Sequence, residues 1–346
     1  MTKKIIFFDW LILSVILTVI IAEYKGNEWE ETIRKGYYNS VLTKDSIPAE
    51  FKISIDSCGI PYVNYYKRNG ITIGKQYNPT IISNYALQYY TPFDQSKNSE
   101  TEKYFYNCAQ WLINNLTYTD DYALYIFNWQ APFYPQLQTP WTSGIASGSA
   151  LKVFVYAYKN SHSEKYLEVS KRILKGFYVP IEQGGFSCQT DSGWWFEEYA
   201  DKNAKGPHVL NGHVSALLGI YDFYRITKND SAFFLFQQGI KALKHSVHLY
   251  DQGENNWSYY DIYKKPADKK YQRTIVKQMK QLYAITGDST FYNYCIKWET
   301  PLKEPYLIRI VKEKNRSGGL LVIGLWAGII IAGICIRKLF CNKSPS

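Results

Sequence analysis

The sequence predicts a mainly α fold: an incomplete α/α toroid of helix pairs, a small N-terminal β-hairpin subdomain, and a transmembrane helix at each end. Three observations predict it. A helical pattern recurs four times at a period of about 60 residues. Residues 50–95 carry short strand-like runs separated by turn dipeptides. The chain opens and closes on long apolar runs.

Each repeat begins with a polar turn. An aromatic follows, then an apolar residue, and another apolar residue lies two helical turns on. The sets are Tyr104-Phe105-Trp111, Tyr166-Leu167-Ile173, Phe233-Phe234-Ile240 and Phe291-Tyr292-Trp298. A spacing of seven places each set on one helix face. Ser163, Asp230 and Asp288 are suitable N-caps. Each helix follows another helical stretch, such as Ile145–Tyr158, Leu210–Thr227 and Thr274–Ile285. Gly144, Ala146, Gly148 and Ala150 make one of these a small-residue helix that admits close approach. Stacked helix pairs of this kind close into a toroid or stack as a solenoid, with polar loops lining a concave cleft. The toroid domain is expected over residues 96–304. Upstream, Gly59-Ile60-Pro61, Asn69-Gly70 and Asn78-Pro79 break short Ile/Val/Tyr runs, so residues 50–95 read as hairpins.

Residues 5–22 and 318–336 are the expected membrane helices. Lys3 and Lys4 precede the first and favour the N-terminus inside. The main domain then lies outside the cytoplasm, in a periplasmic, extracellular or, in a eukaryote, Golgi-lumen setting. Glu28-Trp29-Glu30-Glu31 reads as a solvated helix face beside the first span. Four N-x-[ST] triplets, at Asn115, Asn229, Asn256 and Asn315, fall between the spans.

The formal charge of +10 suggests an anionic partner, but residues 305–346 alone contribute +6 of it. That excess sits where lipid headgroups would meet it. Nucleic acid is not indicated, since no long basic run or known module occurs. Six cysteines include no CxxC pair, which argues against zinc, and disulfides stay open. His245 and His248 beside Asp251 read as a helix C-terminal cluster rather than a metal face. No G-x-S-x-G, H-E-x-x-H, P-loop or strand-borne G-x-G-x-x-G is found, so no cofactor or metal is signalled. Aromatics are 17% of the chain, with 32 Tyr. Tyr and Trp join an apolar face to a polar tip, which suits sugar rings.

The densest polar-aromatic strings are Gly193-Trp194-Trp195-Phe196-Glu197-Glu198-Tyr199, then Val209-Leu210-Asn211-Gly212 and Leu217-Leu218-Gly219-Ile220-Tyr221-Asp222. Leu249-Tyr250-Asp251-Gln252-Gly253 and Trp257-Ser258-Tyr259-Tyr260-Asp261 follow. Upstream stand Gly59-Ile60-Pro61-Tyr62, Gln76-Tyr77-Asn78-Pro79 and Pro140-Trp141-Thr142-Ser143-Gly144. In this order the strings resemble the C-terminal domain of the D-glucuronyl C5-epimerases of heparan-type and heparosan polymers, over roughly residues 56–300.

The resemblance implies removal of the C5 proton of a glucuronate in a polymer and its return to the opposite face, giving iduronate. That C–H lies α to a carboxylate. The chemistry therefore needs an acid/base group on each face of the ring and a group that stabilises the carboxylate. By resemblance, Tyr199, Tyr260 and Tyr271 are the proton carriers and Glu198 the carboxylate beside the first. Trp195, Glu197, Asn211, Tyr259, Lys264 and Lys265 are the expected substrate-binding residues. A free Tyr titrates near ~10. It must be tuned by neighbours, or act as the acid while a partner is the base. The expected partners are an anionic uronate-containing polysaccharide and a membrane, and a homodimer stays open. The sequence departs from the family where an Arg follows the Asp of the second string: here Tyr263, Lys264 and Lys265 stand. Two His positions are Gln272 and Ile275, and glutamines of the small-residue helix are Ser147 and Ser149. A lyase on the same scaffold and a non-catalytic glycan-binding protein are the rival readings.

Overall fold

A computed structural model describes residues 2–37, 52–65, 72–96, 98–253, 257–312 and 315–341. In chain order the elements are α1 (Thr2–Tyr37), β1 (Lys52–Ile55), β2 (Pro61–Tyr65), β3 (Gly74–Gln76), α2 (Pro79–Ser96), α3 (Ser99–Asn114), β4 (Thr117–Tyr118), β5 (Ala123–Leu124), β6 (Ile126–Phe127), β7 (Trp141–Thr142), α4 (Gly144–Ser161), α5 (Glu164–Gly176), β8 (Ser187–Thr190), β9 (Gly193–Phe196), α6 (Leu210–Thr227), α7 (Asp230–Ser246), α8 (Lys269–Thr286), α9 (Ser289–Lys303), α10 (Tyr306–Lys312) and α11 (Arg316–Cys341). They fall into two units, residues 50–302, and residues 1–49 with 303–346.

In the first unit α2, α4, α6 and α8 pack on one another in series, and α3, α5 and α7 each back onto the helix before. This is the predicted arc of helix pairs, among the described residues open rather than a closed barrel. All four repeats fall on the backing helices α3, α5, α7 and α9. Phe105, Tyr166, Phe291 and Trp298 are buried as the spacing required. In the α7 set Phe233 and Phe234 are exposed and Leu235 and Phe236 take the core; Tyr292 of the α9 set is exposed too, and Tyr104 and Trp111 of the α3 set are half-buried. Capping is displaced by one residue in α7. Asn229, not Asp230, accepts the Ala232 N–H at 2.9 Å. Ser163 holds the N-cap position of α5 without a side-chain bond, and Asp288 accepts the Thr290 N–H.

The small residues of α4 act as expected. A Cβ on Gly148 would lie 2.5 Å from Ala216 Cα, and one on Gly219 would lie 2.0 Å from Gly148 O. The α4 and α6 backbones therefore meet with no side chain between them.

The β subdomain is shorter than predicted. β1, β2 and β3 form one antiparallel sheet, and residues 79–95 belong to α2. Asn78-Pro79 is a helix start rather than a hairpin turn. Asn78 Oδ1 accepts the Thr80 N–H at 2.9 Å, and Pro at the first helical position leaves no donor wasted. Asn69-Gly70 lies outside the described residues.

In the second unit α1 packs on α10 and α11. Glu23 accepts the Tyr306 and Leu307 N–H groups at 2.6 and 3.0 Å, capping α10 from a neighbouring helix. Glu30 pairs with Arg309 at 2.8 Å and is buried, so it is no solvated face. Among the described residues one helix, Arg316–Arg337, is long and apolar enough to cross a membrane. The two-span expectation is reduced to one on that count: residues 5–22 are the first part of the 36-residue α1. The triplet asparagines have partners: Asn115 with Trp111 O, Asn229 as a cap and Asn315 with Glu30. Asn256 lies outside the described residues.

Candidate active site

β9 and the loop after it carry the first string. Its course is set by pairing with the segment before α4. Thr142 and Ala200 exchange both backbone bonds at 2.9 Å, and Gly144 N–H donates to Glu197 O at 2.6 Å. Tyr199 is thereby buried, its ring 5.3 Å from Trp141 and 5.0 Å from Tyr134. The second string is tied down the same way. Tyr259 N–H donates to Tyr250 O at 2.7 Å, Tyr260 N–H to Lys265 O at 2.6 Å, and Leu210 N–H to Tyr260 O at 3.1 Å. The Tyr260 ring meets Tyr271 edge-on at 4.7 Å. Tyr271 opens α8, where Asp268 accepts its N–H at 2.8 Å.

These strings converge on Glu198. Its carboxyl lies against Gly212, where a Cβ would come 2.4 Å from Oε2. Oε2 is sealed from solvent and has no hydrogen-bond partner among the described residues. Burial pushes the Glu198 carboxyl up to about 8; the Tyr199 hydroxyl bonded to it opposes this, Glu197 adds to it, and Lys265 opposes it. Tyr199 and Tyr260 are both held well above the ordinary tyrosine value, first by burial and then by the Glu198 charge. Tyr271 is raised for the same reasons and by Asp268, against a hydrogen bond from Tyr260. The three predicted tyrosines and Glu198 therefore form one cluster of phenols around one carboxyl. At neutral pH the phenols keep their protons. The carboxyl is the group whose two forms are both within reach.

Lys265 is the cation at this cluster. Its ammonium stands 5.4 Å from the Tyr260 ring and 5.3 Å from Phe133. Both lysines are exposed, and Lys264 stands on a turn with φ +61°. Three other expected substrate residues are buried. Trp195 stacks on His213 at 4.0 Å and on Tyr250 at 5.9 Å and is 4% exposed. Glu197 is fully enclosed, and both of its oxygens accept the His208 N–H. As placed, neither side chain can touch a polymer; both pack beside the loop that carries Glu198. Asn211 is buried, with Oδ1 unpartnered and its carbonyl accepting from Gln278 Nε2 at 2.9 Å. Tyr259 is half-buried and packed on the core.

Sequence reasoning missed Tyr134, Asp261 and Tyr65. The Tyr134 hydroxyl donates to Asp261 Oδ2 at 2.6 Å, and Asp261 Oδ1 accepts the Lys265 N–H at 3.1 Å. That pair fixes the turn carrying Lys265. Tyr65, on β2, accepts from Asn78 at 2.9 Å, and its ring lies tilted 4.9 Å from Trp129. Burial pushes it up to about 12. Asp261 stood inside a noticed string, but nothing local linked it to a tyrosine 127 positions away. Gln272, where the family has His, is a strut: it accepts from Ser258 N and Oγ at 2.8 Å and donates to Trp298 O at 3.0 Å. Ile275 is core, and Ser147 is buried with its hydroxyl unpartnered. Among the described residues no three His, Cys, Asp or Glu side chains converge as a metal site.

Residues 119–300 match the family described as D-glucuronyl C5-epimerase C-terminus. An uncharacterized protein of Methanocaldococcus jannaschii is 29% identical over 282 residues, 75% of this chain and 88% of that one. The D-glucuronyl C5-epimerase of Caenorhabditis elegans is 30% identical over 170 residues, 46% of this chain, and the match spans 27% of that relative's length. Among solved structures, the cellobiose 2-epimerase of Bacillus thermoamylovorans superposes with a TM-score of 0.48 at 9% identity, over 65% of this chain and 60% of that one. A D-mannose isomerase does so with 0.43 at 12% identity, over 68% and 64%. The family match covers more than half of the chain, including every string that builds the tyrosine cluster, and the chain belongs to the D-glucuronyl C5-epimerase C-terminus family.

Proposed function

We propose that the protein is a carbohydrate epimerase that inverts C5 of glucuronate residues in an anionic polysaccharide. The observation that carries this reading is the convergence of Tyr199, Tyr260 and Tyr271 on the buried Glu198, with Lys265 beside them. The C5–H bond breaks as its proton passes to the Tyr199 oxygen, while the Tyr199 proton moves to Glu198. The electron pair delocalises into the substrate carboxylate, whose growing charge faces Lys265. The Tyr260 hydroxyl then delivers its proton to C5 from the other side. Glu198 is left protonated and Tyr260 ionised, and proton return through the bonded Tyr260–Tyr271 pair resets the site. The phenols serve best as acids, so the base in this scheme is Glu198 rather than a free tyrosinate. Lys265 offers a point charge in place of the family arginine's fork, which relaxes the geometric demand on the carboxylate. We also infer attachment to a membrane through α11, with the arc on the extracytoplasmic side.

The test is deuterium uptake at C5 of heparosan in deuterated water, by NMR, with wild type and Tyr199→Phe. Uptake by wild type and its loss in the variant support the reading. A new unsaturated uronate absorbance without uptake would make the protein a lyase. Binding with neither would make it a glycan-binding protein.

A further inference from the structure

We propose that Glu197 and His208 are a positioning pair that holds Tyr260 opposite Tyr199. The meaning of this pair for catalysis rests on the function proposed above; its structural part does not.

Glu197 and Glu198 are neighbours with opposite surroundings. The Glu198 carboxyl faces the phenols, whereas the Glu197 carboxyl turns into the loop that follows it. Glu197 is 0% exposed, and its oxygens accept the His208 N–H at 3.1 and 3.3 Å. Oε1 is also paired with His208 Nδ1. Gly206 closes over the carboxyl so tightly that a Cβ there would meet Oε1 at 2.1 Å. The carboxylate thus organises residues 206–208 around itself.

His208 has φ +45°, the left-handed region that a residue with a Cβ enters at a cost. Three groups keep it there: the two Glu197 oxygens and Tyr250, whose hydroxyl donates to His208 O at 2.6 Å. The Trp195 ring lies 5.3 Å from the imidazole. The residues on either side of His208 hold the second string. Pro207 O accepts the Ile262 N–H at 3.1 Å, and Leu210 N–H donates to Tyr260 O at 3.1 Å. Lys205 O accepts the Tyr263 hydroxyl at 3.0 Å. One strained residue therefore sets the path of the backbone on which Tyr260 hangs.

The experiment uses the full-length chain with Glu197→Gln, His208→Ala and His208→Asn. Asn tolerates the left-handed region and can donate to the carboxylate; Ala does neither. Two readouts are taken: amide exchange of segments 205–212 and 258–267 by mass spectrometry, and kcat and KM for C5 exchange. Glu197→Gln and His208→Ala should speed amide exchange in both segments by about tenfold or more. They should lower kcat by about 10- to 100-fold at unchanged KM, the signature of misplaced catalytic groups. His208→Asn should restore both. Unchanged protection in His208→Ala, a rise in KM alone, or a His208→Asn as impaired as His208→Ala would each overturn the proposal. If wild type gives no C5 exchange at all, the proposed function fails, while the amide readout still decides the pair.

Discussion

Replacing Glu198 by Gln should stabilise the protein at high pH and inactivate it. The carboxyl titrates at about 8 in the fold against an ordinary 4.5. The unfolded chain releases this proton near 4.5, whereas the folded chain keeps it until about 8. Stability is therefore fully present below pH 4.5 and declines as pH rises through 8. At roughly 1.4 kcal/mol per pH unit, the difference amounts to about 5 kcal/mol. Gln carries no charge at any pH, so that decline should vanish in the variant. The buried amide itself costs about 1–3 kcal/mol for imperfect bonding, but that cost does not vary with pH. Glu197 and the phenols are common to both proteins and cancel in the comparison. For a unit of this size, 1 kcal/mol moves Tm by about 2–4 °C. Calorimetric melts of both proteins at pH 5 and pH 9 should show Glu198→Gln gaining about 10 °C on wild type between the two. Parallel Tm curves would refute the reasoning, because they would mean that Glu198 ionises in the fold as it does in water.

Further consequences can be checked separately. Tyr260→Phe removes the returning acid, and C5 exchange should fall by about 10²–10⁴-fold with heparosan binding retained, as a pull-down would register. The wild-type exchange rate should climb with pH toward about 8, where Glu198 becomes carboxylate; a flat profile from pH 6 to 9 would exclude Glu198 as the base. Asp261→Asn leaves the Tyr134 hydroxyl without its charged acceptor, and thermal melts should register a loss of about 1.5–3 kcal/mol. Gly219→Ala places a methyl against Gly148 O and should cost about 1–3 kcal/mol or more, since backbone cannot step aside as a side chain can.

The helix-pair arc was legible because its signal is periodic. An aromatic and an apolar residue two turns apart must share a face, and the turn residues mark where each helix begins. The same logic misplaced residues 79–95, since Asn-Pro is both a turn and a helix start and only the run that follows decides. Ile82, Ala86 and Tyr90 recur every four residues, all buried, and would have pointed to α2. For the candidate site, local strings drew attention to Tyr199, Tyr260 and Glu198, and the family resemblance to Tyr271. Side-chain direction was not legible. Glu197 and Glu198 read alike in sequence, yet one enters its own loop and the other the cluster. Tyr134 and Tyr65 come from an irregular segment and a short strand, where no period announces them. Their partners are set by tertiary packing alone.

The seam between α4 and α6 has a mechanical consequence. Backbone lies on backbone at Gly148 and Gly219, which leaves no compliant layer for one helix to slide on the other. That seam is rigid, whereas α6 and α8 meet less closely. Tyr199 belongs to the stiff side, through its pairing with the segment before α4, and Tyr271 rides on α8. Any breathing of the arc is thus directed to the gap between Tyr199 and Tyr271. In the proposed mechanism that movement would change the distance between Tyr199 and the Tyr271 that relays the returning proton.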